Sequence, residues 1–112
     1  MHSMWSKTPN QIKNMMYVKI HKSEHQKVIA ICDEGLIGKT ISEGDKEINI
    51  SEDFYKGDLL KEEQVLELLK DASNANFTGD EAVACGIKSG LIQEGIVITI
   101  GGVKHAQFYS LE

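Results

Sequence analysis

Titratable and amide side chains gather behind one backbone turn of this chain. Gly101-Gly102 is followed by Val103, Lys104, His105, Ala106 and Gln107. Glycines let a backbone approach a ligand closely, and successive amides can form an anion-binding nest. His105 can exchange a proton near neutral pH. Lys104 adds positive charge and Gln107 an amide. Gly101, Gly102, Lys104, His105 and Gln107 are therefore the candidate ligand-binding residues. Two chemistries fit them. One is a contact surface. The other is catalysis by His105 as general acid or base, with the Gly101 and Gly102 amides holding an anion. A plainer account also fits, since a glycine pair is a strong hairpin signal by itself. By strand alternation, Lys104, Ala106 and Phe108 share one face, and His105, Gln107 and Tyr109 share the other.

Other constellations fall short of a reaction. Gly35-Leu-Ile-Gly-Lys-Thr40 follows an apolar run and looks like the end of a phosphate-binding loop. That motif needs a glycine where Asp33 stands, so a carboxylate would face the phosphate. It also needs a helix after Thr40, and Ile41-Ser-Glu-Gly-Asp45 does not make one. His21 and His25 have helical metal-ligand spacing but span a strand end and a turn, so no metal site is expected. Cys32 ends an apolar strand and Cys85 lies inside a helix. Both read as buried, reduced thiols. Asp33 and Glu34 are adjacent and mark a turn.

The elements around these residues follow from periodicity. Met16 to Lys22 alternates as a strand, and Lys27 to Cys32 is a continuous apolar run, expected to be central and to pair with the first strand as a hairpin. Leu36 to Gly44 is ambiguous, and Glu47 to Ile50 is a short strand. Phe54 and Tyr55 are expected to pin the loop 51–58 to the core. Lys61 to Ser73 is the clearest helix, with Val65, Leu68, Leu69 and Ala72 at helical spacing. Asn74 to Phe77 reads as a connection. Thr78-Gly-Asp-Glu81 reads as a capping box that opens a second helix running to about Ser89, with Gly90 as its stop. Ile96 to Ile100 is a strand, Gly101-Gly102 its hairpin turn, and Val103 to Tyr109 the return strand. The expected fold is α+β: a small two-layer domain with a mixed, mostly antiparallel sheet and two helices packed on one face.

Composition bounds the rest. The chain has 112 residues, one domain's worth, with a net charge of −5. All 12 basic residues are lysine, so the guanidinium fork favoured for phosphate and guanine recognition is missing. No apolar run approaches the length of a membrane span. Residues 1–14 read as a disordered leader or non-native extension, 15–110 as the single α/β domain, and 111–112 as a tag scar.

Cys32-Asp-Glu-Gly-Leu-Ile-Gly-Lys-Thr40, Asn74-Ala-Asn-Phe-Thr-Gly79 with Ala82-Val83, and Ile100-Gly-Gly-Val-Lys-His-Ala-Gln107 together resemble an archaeal family known as domain of unknown function 424. The resemblance covers about Met16 to Gln107 and implies a small cytoplasmic α/β protein with an RNA- or translation-related role. It carries no activity over to any residue. The expectation is a non-catalytic binding module that takes RNA or a ribonucleoprotein as partner, with no cofactor and no membrane. The alternatives are the His105 enzyme described above, and a structural or oligomerising protein whose strand 103–109, carrying Phe108 and Tyr109, pairs with a partner edge.

Overall fold

A computed structural model of the chain describes residues 15–110, so the expectations for residues 1–14 and 111–112 fall outside it. Eight strands and three helices run in the order β1 (Met15–Lys22), β2 (Lys27–Asp33), β3 (Thr40–Glu43), β4 (Lys46–Asn49), α1 (Glu52–Tyr55), β5 (Asp58–Lys61), α2 (Glu62–Leu69), β6 (Asn74–Thr78), α3 (Asp80–Ser89), β7 (Ile98–Ile100) and β8 (Val103–Tyr109). Six strands form one sheet in the order β5-β1-β2-β6-β8-β7, and β3 pairs with β4 separately. Among the described strands only β2 and β6 pair in parallel, Ile29 opposite Ala75 and Cys32 opposite Thr78. The α+β class, the mostly antiparallel sheet and the β1–β2 and β7–β8 hairpins all match the sequence reading.

Alternation along the strands sorts the side chains into two layers. Met16, Val18, Ile29, Ile31, Ala75, Phe77 and Ala106 point to one face and form the main core with Val65 and Leu69 of α2 and Ala82, Val83 and Cys85 of α3. Gly86 lets α3 sit directly on the ring of Phe77; a Cβ there would stand 3.0 Å from it. The opposite face has its own smaller core. Ala30 and Cys32 are covered by Tyr55, Ile50 and flanking residues of α1 and the β3–β4 hairpin. Tyr55 and Phe54 therefore pin this segment, as expected, but residues 52–55 are a short helix rather than loop, capped by the Ser51 hydroxyl, and lie on the face opposite α2 and α3.

Three further local readings are corrected. The stretch 74–77 is not a connection but most of β6, next to the centre of the sheet. Its alternation is real, with Ala75 and Phe77 buried between half-buried asparagines. Asparagine's low strand propensity hides it. The ambiguous stretch before Gly44 supplies β3, because Gly44, at φ +63°, turns the chain back onto β4. The expected strand 96–100 is shorter: Glu94–Ile96 makes a single 3-10 turn, and β7 begins only at Ile98.

The capping box fails for a more informative reason. Thr78 ends β6 and is fully buried, so its hydroxyl is committed elsewhere. Gly79 is the N-cap of α3. The acceptors come from Asp33 instead: the amide of Glu81 donates to Oδ2 at 3.1 Å and that of Ala82 to Oδ1 at 2.8 Å. The parallel pairing of β2 with β6 brings the end of β2 beside the start of α3, so a residue 48 positions away does the capping. Gly79 is required by this arrangement. Its φ is +110°, and a Cβ would lie 2.3 Å from the Asp33 carboxyl carbon. Asp33→Ala is expected to lower unfolding free energy by about 0.5–2 kcal/mol. Gly79→Ala is expected to lower it further, since it adds backbone strain to loss of the cap. Urea unfolding of the two variants checks both the sign and the order.

Candidate functional site

The two glycines behave as a hairpin turn. Gly101 and Gly102 have φ of +55° and +83°, the double left-handed conformation of a type I′ turn. The β3–β4 hairpin lies against this turn so closely that a Cβ on Gly101 would stand 2.7 Å from an Ile41 methyl. The Gly101 amide, a would-be anion donor, already donates to Glu43 Oε1 at 2.6 Å. An anion site at this amide would need Glu43 to leave. The phosphate-like position at the start of α3 is likewise filled by the Asp33 carboxylate.

Strand β8 divides the remaining candidates as alternation predicts. Lys104 lies on the helical side, in a groove of about 380 Å³ with Val83, Ile87, Glu94 and Val97. His105 and Gln107 lie on the opposite face, paired with Thr78 and Asn76 of β6. The five candidates therefore do not converge on one ligand.

His105 is half-buried and tied into a chain that sequence reasoning missed. The Thr78 hydroxyl sits 2.9 Å from Tyr55 Oη and 3.0 Å from His105 Nδ1. Burial pushes the imidazole below its ordinary pKa of 6.5, so it is neutral at pH 7. With the His105 proton on Nε2 the chain runs from Tyr55 to Thr78 to Nδ1; with it on Nδ1 the chain runs the other way. Burial also raises the Tyr55 pKa, opposed by its bond to Thr78. Cys32, paired with Thr78 in the parallel register, is pushed up to about 12 by burial and by Asp33. Cys85 is pushed up to about 11, mainly by burial. Neither thiol is a nucleophile at neutral pH. Asp33 is also raised: burial outweighs the backbone amides of Glu81, Ala82 and Asp80 that favour its ionised form. A cleft of about 110 Å³ opens between Asp33, Leu36, Gly79, Asp80, Gly102 and Val103. It has room for roughly four waters at ~30 Å³ each, and His105 lines neither this cleft nor the Lys104 groove.

What remains is a surface. The face opposite α2 and α3 is covered at one end by the β3–β4 hairpin and over β1–β2 by α1, where Lys19 donates to Asp53 O, and His21 stacks on Phe54 with ring centroids 4.6 Å apart. No described element covers the far corner, formed by β6 and β8. Asn74 pairs with Tyr109 and Asn76 with Gln107. Gln107 and Tyr109 are exposed, the latter at 63%. Among the described residues the side chains of Asn74, Asn76 and Gln107 make no hydrogen bond. Of these, sequence reasoning identified Gln107. It missed the asparagines because it placed them in a connection.

Two outcomes test the buried chain. Thr78→Val keeps the shape but leaves Tyr55 Oη and His105 Nδ1 without their partner, and is expected to cost about 1–3 kcal/mol in chemical denaturation. A depressed His105 pKa means that the unfolded chain binds the proton first as pH falls. Its stabilisation is therefore complete above the ordinary value of 6.5 and is lost as pH drops toward the lowered one. Unfolding free energy should fall as pH drops below 6.5, and the fall should be shallower in His105→Gln.

The family model for a protein of unknown function, DUF424, matches residues 21–111. The chain is also similar to an uncharacterized conserved protein from Methanopyrus kandleri whose crystal structure is solved, at 26% identity and a TM-score of 0.72, over 88% of this chain and 95% of that one. Comparison with curated proteins gave no match. No helix among the described residues is long and apolar enough to cross a membrane.

Proposed function

The chain belongs to the DUF424 family of proteins of unknown function, and from that premise we propose that it is a non-catalytic module that binds single-stranded RNA on the bare corner of its sheet. The observation that carries this reading is the set of amides Asn74, Asn76 and Gln107, without a hydrogen-bond partner among the described residues, on the same face as the exposed ring of Tyr109. Side-chain amides match the hydrogen-bonding edges of unpaired bases, and an exposed aromatic ring offers a stacking platform. A flat sheet admits splayed bases, whereas the small cleft near Gly102 does not.

Charge shapes the expected behaviour. With a net charge of −5 and no arginine, phosphate neutralisation contributes little, and bases rather than backbone must supply the affinity. Two buried, unpaired thiols are at home in a reducing cytoplasm, which is where such a partner would be met. The catalytic alternative draws no comparable support, since the Gly101 amide is engaged by Glu43 and His105 Nδ1 by Thr78.

Fluorescence anisotropy with the four short homopolymeric RNAs, at low and high salt, tests the proposal. Binding with a shallow salt slope is expected for at least one of them. Tyr109→Ala should weaken it by about ten-fold, in line with ~1–3 kcal/mol per stacked base, and Asn76→Ala should weaken it less. Absence of binding to all four RNAs overturns the proposal. So does binding with a steep salt slope that Tyr109→Ala leaves unchanged.

A further inference from the structure

Strand β8 is longer than the strand that covers its outer side. β7 pairs with it only from Ile98 opposite His105 to Ile100 opposite Val103. Beyond Ile98 the chain leaves the sheet, because Val97 turns into the core under the helices. Among the described residues nothing pairs with the outer side of residues 106–109, which is therefore an open edge. Which backbone groups face it follows from the bonds on the inner side. Lys104 O accepts from Gly79 N, and Ser110 N donates to Ser73 O. Even-numbered residues thus turn their amides and carbonyls toward β6, and Gln107 and Tyr109 turn theirs outward.

Apolar surface collects at the same place. Four large hydrophobic residues are exposed among the described residues, and Ile96, Ile98 and Tyr109, at 51%, 48% and 63%, all belong to this margin. The edge sequence Ala106-Gln-Phe-Tyr109 contains no charge and no proline, the usual devices that keep an edge single. The uncovered end of β1, by contrast, carries Lys19 and Lys22.

We propose that this edge pairs with the same edge of a second copy of the chain, antiparallel about a twofold axis at Phe108. The fit is reciprocal. Gln107 faces Tyr109 of the second copy and Tyr109 faces its Gln107. These are the residues whose amides and carbonyls point outward, so two residue pairs make four backbone hydrogen bonds. The incoming strand runs along the lane that β7 vacates at Ile98. The second copy's Tyr109 then stands two residues along from Ile98, about 6.6 Å at ~3.3 Å per residue, and on the same face. Each exposed tyrosine covers the other copy's exposed isoleucine. A foreign strand would satisfy the backbone but would not account for the matching of Ile98 with Tyr109. The axis is perpendicular to the sheet, so the two bare corners lie side by side on one surface.

Sedimentation equilibrium of the full chain over micromolar to near-millimolar concentration tests this. A monomer–dimer equilibrium is expected. Ile98→Lys, which places a charge in the lane, should weaken dimerisation by at least about ten-fold. Gln107→Pro, which removes an outward amide that no described residue uses, should do the same. Thr99→Lys, on the helical side of the same strand, should leave it unchanged. Circular dichroism verifies that each variant is folded. A concentration-independent wild-type monomer overturns the proposal and leaves the edge to a foreign strand. A dimer that survives both edge variants also overturns it. Neither outcome bears on RNA binding by the monomer.

Discussion

The carboxylate of Asp33 holds the two halves of the chain together at one point. Its oxygens receive the first free amides of α3, while its backbone closes the register between β1 and β2 at Met16. A helix start carries partial positive charge and unsatisfied amides, and an acidic acceptor there is worth more than a neutral one. The consequence is steric as well as electrostatic. Only a glycine at position 79 leaves room for the carboxylate. Because Gly79 follows Thr78 directly, the same close approach fixes the hydroxyl that joins Tyr55 to His105. The layer beneath α1, the sheet and the α3 layer are thus registered to one another within five consecutive residues, 78 to 82.

That registration also explains why the chain resembles a phosphate binder without being arranged as one. Asp33 occupies the start of α3, and Glu43 occupies the amide of the Gly101 turn. Both of these amide sites are filled by a carboxylate from the chain itself. The open chemistry is left to neutral groups: three amides and a phenol on β6 and β8. A surface of this kind contributes hydrogen bonding and stacking without strong long-range attraction, so recognition there depends on shape and base edges more than on charge.

Much of the architecture was legible because it rests on period and punctuation. The α2 stripe, Gly90 as a left-handed stop at φ +90°, the Gly101-Gly102 turn and the alternation that separates Lys104 from His105 are local signals, and the structure repeats them. The failures lie where a distant residue overrides a local pattern. Thr78 and Glu81 have capping-box spacing, but a buried tyrosine and histidine claim the Thr78 hydroxyl and Asp33 supplies the cap. Asn74 and Asn76 sit in a strand because Ala75 and Phe77, which alternate with them, are fully buried. No single sequence states which strand will lie beside β2, so neither the bare corner nor the role of Asp33 was readable. The phosphate-loop comparison came nearest, since it asked what the Asp33 carboxylate would face.

The single parallel pairing has a kinetic side. Ile29 meets Ala75 only after the 45 residues between them have been laid out, and such long closures are slow relative to hairpins. The β1–β2 and β7–β8 hairpins can form from neighbouring residues alone. During synthesis or refolding, β8 can therefore exist as a hairpin strand before β6 has docked, with its inner side bare along its whole length and its outer side bare past His105. The four uncharged residues from Ala106 to Tyr109 are then open to association on both sides, and the speed with which β6 arrives sets how long that hazard lasts.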